Sequence, residues 1–372
     1  MNAAPAAPGD RLVDVDTPAL LVDLDAFERN LARMADVARR AGVRLRPHAK
    51  THKCPDIALR QIALGAVGVC CQKVSEAEAM VAGGVRDVLV SNEIVGARKI
   101  ERLVAMARTA RVGVCVDDED NARNISAAAV KAGVTIDVLV EINVGGNRCG
   151  VESGEPAAGL ARVIAGLPGL HFLGLQAYHG SAQHIRTLEA RRAAIASATE
   201  KAARTRDFIV RTGGTCERIT GAGTGTHALE AATGVYDELQ AGSYIFLDAD
   251  YARNLDGDGK PIANYEHSLF LYATVMSRTA PSRAVVDAGL KAVAVDSGLP
   301  TVVGVPGAEY VSASDEHGKL SVPDDCRLRP GDKVRLIPGH CDPTCNLHDW
   351  FVGYRGDRVE CLWPITGRGP GF

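Results

Sequence analysis

The sequence predicts an α/β chain in which a (β/α)8 barrel is followed by a smaller β-rich domain. Three observations carry this. Up to about residue 250, short apolar runs alternate with amphipathic stretches; the apolar runs number eight; and beyond about residue 256 helical periodicity nearly disappears. Strands that are apolar on both faces suit a parallel sheet covered by helices. Eight such units in roughly 230 residues fit a closed barrel better than an open doubly wound sheet.

The elements follow in order. Residues 25–40 place Phe27, Leu31, Met34 and Ala38 on one helical face with charges opposite. A strand at 43–47, a helix near 56–63 and a strand at 66–70 come next. Further strands are expected at 87–91, 111–116, 136–142, 171–177, 216–220 and 237–241, with helices at 74–82, 96–109, 119–132, 155–166 and 186–212. Gly, Pro and Asp cluster at 256–262, and strand-like runs follow at 268–275, 284–287, 334–337, 350–354 and 359–363. The expected division is a barrel over 18–255 and a β-rich domain over 256–372, with segment 1–17 packed on the latter.

Composition narrows the function. The chain of 372 residues carries 42 basic and 45 acidic side chains, a net charge of -3. That leaves no basic field, which argues against nucleic acid as a partner. No apolar run reaches the roughly 18 to 20 residues of a membrane span, and the first residues lack the basic start and apolar core of a signal peptide. Ten cysteines without a CxxC pair, two of them the neighbours Cys70 and Cys71, fit a reduced cytoplasmic chain rather than a disulfide framework.

Barrels place their chemistry where strands end, and here those ends are polar. The first strand runs into Pro47-His48-Ala49-Lys50-Thr51-His52-Lys53, the second into Cys71-Gln72-Lys73, the third into Ser91-Asn92-Glu93. Later ends give Asn143 with Arg148, then Tyr178-His179 with His184, then the turn Gly221-Ala-Gly223-Thr224-Gly225-Thr226, then Gly242-Ser243-Tyr244. The glycine turn suits a phosphate cradle or simply a tight turn; no GK[ST] follows, so it is not a P-loop. On an extended backbone His48, Lys50 and His52 share a face. A partly desolvated Lys50 near other cations would have a lowered pKa and form Schiff bases, although Lys53 is as eligible on spacing. In His340-Cys341-Asp342-Pro343, an extended backbone presents His340 and Asp342 together as a partial divalent-cation site; Cys341 and Cys345 are alternative ligands, and a plain turn is the simpler reading of Asp-Pro.

Taken together, Pro47-His-Ala-Lys50-Thr-His-Lys, Cys70-Cys-Gln-Lys-Val-Ser-Glu, Asn147-Arg-Cys-Gly150, Tyr178-His-Gly-Ser, Gly221-Ala-Gly-Thr-Gly and Pro338-Gly-His-Cys-Asp-Pro-Thr resemble the D-threonine aldolase and D-serine dehydratase family, pyridoxal-phosphate enzymes of alanine racemase-like architecture. The resemblance runs from Asp16 to the C-terminus. It implies Lys50 as the Schiff-base lysine and Gly221, Gly223, Thr224, Gly225 and Thr226, with Tyr244, around the cofactor phosphate. It implies Arg148, Tyr178 and Gln72 around the pyridine ring, and His340 and Asp342 as ligands of a divalent cation (Mn, Mg, Co or Zn). Asp rather than Cys at 342 favours the aldolase branch over the dehydratases. The implied substrate is a D-3-hydroxy amino acid, cleaved to glycine and an aldehyde, with His184 or water taking the hydroxyl proton. D-3-hydroxyaspartate aldolases, dehydratases on the same scaffold and a non-catalytic cofactor carrier are the rivals. A homodimer is implied as well.

Overall fold

The computed structural model describes residues 3–372. Eight parallel strands, in the order Arg44–Leu45, Glu238–Leu239, Arg218–Gly221, Leu170–Gln176, Ile136–Asn143, Arg111–Val116, Asp87–Glu93 and Val69–Cys71, run through the first sheet, and the short Val151–Glu152 adds a ninth beside Ile136–Asn143. Its two outer strands meet where Val67 N–H donates to Leu45 O (2.9 Å) and Cys70 N–H to Pro47 O (2.8 Å), so the sheet closes. Cys70, Leu89, Cys115, Leu139 and Leu173 fill the interior, and the helices cover the outside. The barrel is therefore a packed core with its chemistry at one rim.

The helices form where the pattern places them. Leu24–Ala41 starts at Asp23, whose carboxylate accepts Ala26 N–H, and stops at Gly42 in the left-handed region. It buries Phe27, Leu31, Met34 and Ala38, the face expected from spacing. None of the helices among the described residues is long and apolar enough to cross a membrane.

The second sheet departs from expectation in one respect. It runs Glu309–Ala313, Gly318–Ser321, Arg283–Val286, Leu269–Ala280, Ala19–Asp23, Trp350–Arg355, Arg358–Pro364. Lys333–Ile337 also pairs Leu269–Ala280. Ala19–Asp23 thus lies in this sheet, antiparallel to Leu269–Ala280 and parallel to Trp350–Arg355, although the barrel was expected to begin at 18. A four-residue apolar run leading straight into a helix looks the same in either sheet, and only the long-range pairing decides. Of the expected 1–17 segment, residues 1 and 2 lie outside the described residues. Gly9 N–H donates to Val359 O (2.8 Å) and Leu12 N–H to Asp357 O (2.7 Å). Phe27, Phe246, Phe351 and Trp363 stack between the two sheets, at ring separations of 5.4 to 6.5 Å.

One contact positions the site. Ala249 N–H donates to Pro338 O (3.0 Å) and Cys341 N–H to the buried carboxylate of Asp248 (3.0 Å). The 338–345 turn of the β-rich domain is thereby fastened over the barrel mouth.

Candidate active site

The first strand ends in the 3-10 turn Ala49–Thr51, not in the extended backbone expected for 48–52. His48 and Lys50 line the barrel-mouth cavity, whereas His52 turns into the core, where its Nδ1 accepts Cys54 N–H (3.1 Å) and burial pushes its pKa down to about 4. The same correction applies at Cys341–Cys345. These residues form one helical turn after His340, closed by the Thr344 hydroxyl donating to His340 O (2.7 Å). A proline early in a helix costs no hydrogen bond, so Pro343 is tolerated there.

Lys50 Nζ donates to Asp342 Oδ2 across the cavity, joining residues 292 positions apart. Desolvation lowers the lysine's pKa, but the Asp342 carboxylate, and then Tyr178, outweigh it and the net shift is upward. The expected lowered pKa is therefore corrected: the cations anticipated nearby are replaced by an anion. Burial would raise Asp342, but Lys50 and then His340 hold it well below the usual carboxylate range.

The cavity is lined by polar groups, and its charged lining residues, Lys50 and Arg148, are both cationic. Gln72, Arg148, Tyr178, Gly223 and Thr224, all expected, share it with Ser91, Gln176, Gln240, Ser243 and Tyr251, which the sequence reading assigned no role. Ser91 was legible as a strand-end residue; Gln176 and Gln240 exchange amide hydrogen bonds (3.0 and 2.8 Å) across the barrel, a pairing with no local signal. His48 Nδ1 accepts Lys50 N–H (3.3 Å), which puts the ring proton on Nε2, 3.1 Å from the Ser91 hydroxyl. Burial, then Lys50, pushes His48 well below its ordinary pKa, so this ring is neutral. The Arg148 guanidinium sits 5.5 Å over the Tyr178 ring, within cation–π range. On its other side, Arg148 Nη2 lies 3.7 Å from Glu141.

The glycine turn divides its labour. Gly223 and Thr224 face the cavity, and Thr224 Oγ1 is buried with no partner among the described residues. Gly225 N–H donates to Gln183 Oε1 (3.0 Å), and the Thr226 hydroxyl donates to Glu230 (2.7 Å), so both hold the turn in shape. A Cβ on Gly221 would stand 2.6 Å from Ala177 O. Tyr244 is fully buried away from the cavity, and its hydroxyl accepts from Gln61 (3.1 Å); its neighbours Gly242 and Ser243 line the wall instead. A Cβ on Gly242 would meet His48 O and Thr51 Oγ1 at 2.7 Å, so only glycine fits there.

An unpartnered hydroxyl in a glycine turn that lines the cavity, and a lysine lining the same cavity, fit a phosphorylated aldehyde cofactor. At the mouth, His340 Nδ1 hydrogen-bonds to Asp296 Oδ2 (2.7 Å), which fixes the orientation of the ring. An imidazole oriented by a carboxylate, beside a second carboxylate at Asp342, is a donor set that suits a divalent cation. In the adjoining outer chamber His184 Nδ1 hydrogen-bonds to Asp250, which also accepts from Arg186 and Arg253.

Residues 22–250 match the profile of the alanine racemase N-terminal domain, and 268–354 match a serine dehydratase domain. The chain is 50% identical over 366 residues to a D-threonine aldolase of Arthrobacter sp., covering 98% of this chain and 96% of that protein. It is 48% identical to a 3-hydroxy-D-aspartate aldolase of Paracoccus denitrificans (strain Pd 1222), covering 99% and 96%. The crystal structure of D-threonine aldolase from Filomicrobium marinum superposes with a TM-score of 0.96 at 54% identity, over 99% of this chain and 100% of that one. The chain belongs to the alanine racemase-like family of lyases.

Proposed function

We propose that the protein is a pyridoxal-phosphate- and divalent-cation-dependent aldolase that cleaves D-3-hydroxy amino acids, D-threonine-like, to glycine and an aldehyde. The observation that carries this reading is the meeting of Lys50 with Asp342 at a cavity also lined by Thr224, whose hydroxyl has no partner among the described residues. Lys50, Gly223, Thr224 and Ser243 would hold the cofactor, with Arg148, Tyr178 and Gln72 around its ring; His340 and Asp342 would hold the cation.

When bound, pyridoxal phosphate supplies the sink for the electron pair of the breaking Cα–Cβ bond, and the cation polarises the β-hydroxyl. The chain's own residues do the rest. Lys50 leaves Asp342 and gives up its proton before it can act as a nucleophile. Neutral His48 packs the inner wall without adding charge. His184, its Nδ1 side fixed by Asp250, presents Nε2 to take the hydroxyl proton; a carboxylate behind an imidazole fixes tautomer and direction. D-3-Hydroxyaspartate is the second substrate reading, favoured by the Paracoccus relative. A homodimer in the cytoplasm belongs to the same proposal.

Incubation with cofactor, a divalent metal and, separately, D-threonine, D-3-hydroxyaspartate or D-serine tests it. Glycine with acetaldehyde or glyoxylate is expected; an oxo acid with ammonia as the main product refutes the aldolase reading.

A further inference from the structure

Beside the cofactor cavity, and with none of the residues assigned above to cofactor or cation, the barrel rim gathers acids. Asp87–Glu93, Arg111–Val116 and Ile136–Asn143 are neighbouring strands. Their ends deliver Glu93, Asp117 and Glu141 to one place. The turn after the third strand brings a thiol back onto them. Gly150, at φ +100, has no room for a Cβ, which would stand 2.7 Å from the Ile142 carbonyl carbon, and its N–H donates to Asp117 Oδ2 (3.0 Å). This close approach folds Cys149 over the strand ends. One ligand atom each from Glu93, Asp117 and Cys149 lies within 4.8 Å of the others.

Two further facts separate this cluster from a solvated acidic edge. Glu141 is 4% exposed, interacts directly with the Glu93 carboxylate, and its Oε2 has no partner among the described residues. Glu93 Oε1 is likewise buried and unpartnered. Among the described residues, the one cation seen against Glu141 is Arg148, at 3.7 Å and half exposed. Buried carboxylates are normally paired, hydrogen-bonded or metal-bound.

We infer that Glu93, Asp117 and Cys149, with the buried Glu141 carboxyl behind Glu93, form a second divalent-cation site, suited to a zinc-like ion of intermediate softness. Two carboxylates and a thiolate supply three ligands, to which water adds the fourth that zinc usually takes, and sulfur biases the site away from magnesium and calcium. The ion ties the 144–150 turn to the strand ends and so fixes the segment that carries Arg148 over Tyr178.

Zinc X-ray absorption on the cofactor-loaded His340→Ala protein tests this with the His340–Asp342 pair disabled. One added equivalent of zinc should show a sulfur neighbour at about 2.3 Å, and Cys149→Ser in that background should remove it. Glu141→Gln, near-isosteric, should weaken zinc binding in equilibrium dialysis by about tenfold or more; circular dichroism and cofactor absorbance report that both variants fold. A ligand shell of nitrogen and oxygen alone, or sulfur that survives Cys149→Ser, overturns the inference. Neither result bears on the aldolase proposal, which rests on other residues.

Discussion

Replacing Thr224 by valine separates a cofactor-binding hydroxyl from a structural one, because the two roles move different measurements. Valine has the same shape, so the cavity wall keeps its packing. In the protein alone, Thr224 Oγ1 is a buried oxygen without a partner among the described residues. Removing such a group relieves a desolvation cost of about 1 to 3 kcal/mol. The cofactor-free variant should therefore be at least as stable as the parent, with a melting temperature on the order of a few degrees higher. With the cofactor phosphate in place, the same hydroxyl would donate to an anion. A hydrogen bond to a charged group contributes about 1.5 to 3 kcal/mol, so its loss weakens cofactor binding by roughly 10- to 150-fold. Thermal unfolding of the cofactor-free protein and a cofactor titration followed by absorbance give the two numbers. A fall in cofactor-free stability, or an unchanged dissociation constant, refutes the reasoning, since it would mean that the hydroxyl serves the fold.

Other outcomes follow from the same geometry. Lys50→Ala should abolish the visible absorbance of lysine-bound cofactor, and persistence of that band would remove Lys50 from its role. His340→Ala, or chelation of the parent, should eliminate turnover while cofactor stays bound; full turnover without metal would contradict the assignment of His340 and Asp342. Glu230 provides a pH test away from substrate. Burial pushes its carboxyl from 4.5 up to about 7, so the stability it lends is full below the ordinary value and lost as pH rises through about 7. The loss amounts to about 3 kcal/mol above that pH. Glu230→Gln should flatten the melting temperature between pH 5 and 8, and an unchanged pH profile would show that Glu230 is not the group responsible.

The barrel was legible because buried parallel strands and their helices write separate patterns, and Phe27, Leu31, Met34 and Ala38 fall where spacing puts them. The strand at Ala19–Asp23 was not assigned to its sheet, because its partners lie hundreds of residues away. The same limit explains the site. Lys50 and the 338–345 motif could be singled out as chemistry, yet the ion pair between Lys50 and Asp342, which reverses the expected direction of the lysine's pKa, exists only once the two sheets meet. Position after a strand does not give side-chain direction either. In the 3-10 turn Ser243–Ile245, Ser243 faces the cavity and Tyr244 faces Gln61.

The placement of Ala19–Asp23 also has a bearing on how the chain is made. Leu20 pairs with both Leu271 and Phe351, the latter 331 residues further on. During synthesis this strand leaves the ribosome long before its partners and finds its central slot only after both have emerged. The barrel has its own sheet and can assemble while translation continues, as domains generally do. The other sheet cannot, because its middle strand and its flanks lie far apart in the sequence. Pairing at such sequence distance is intrinsically slow. The nascent protein therefore carries an unpaired apolar strand until Leu269–Ala280 and Trp350–Arg355 have been made.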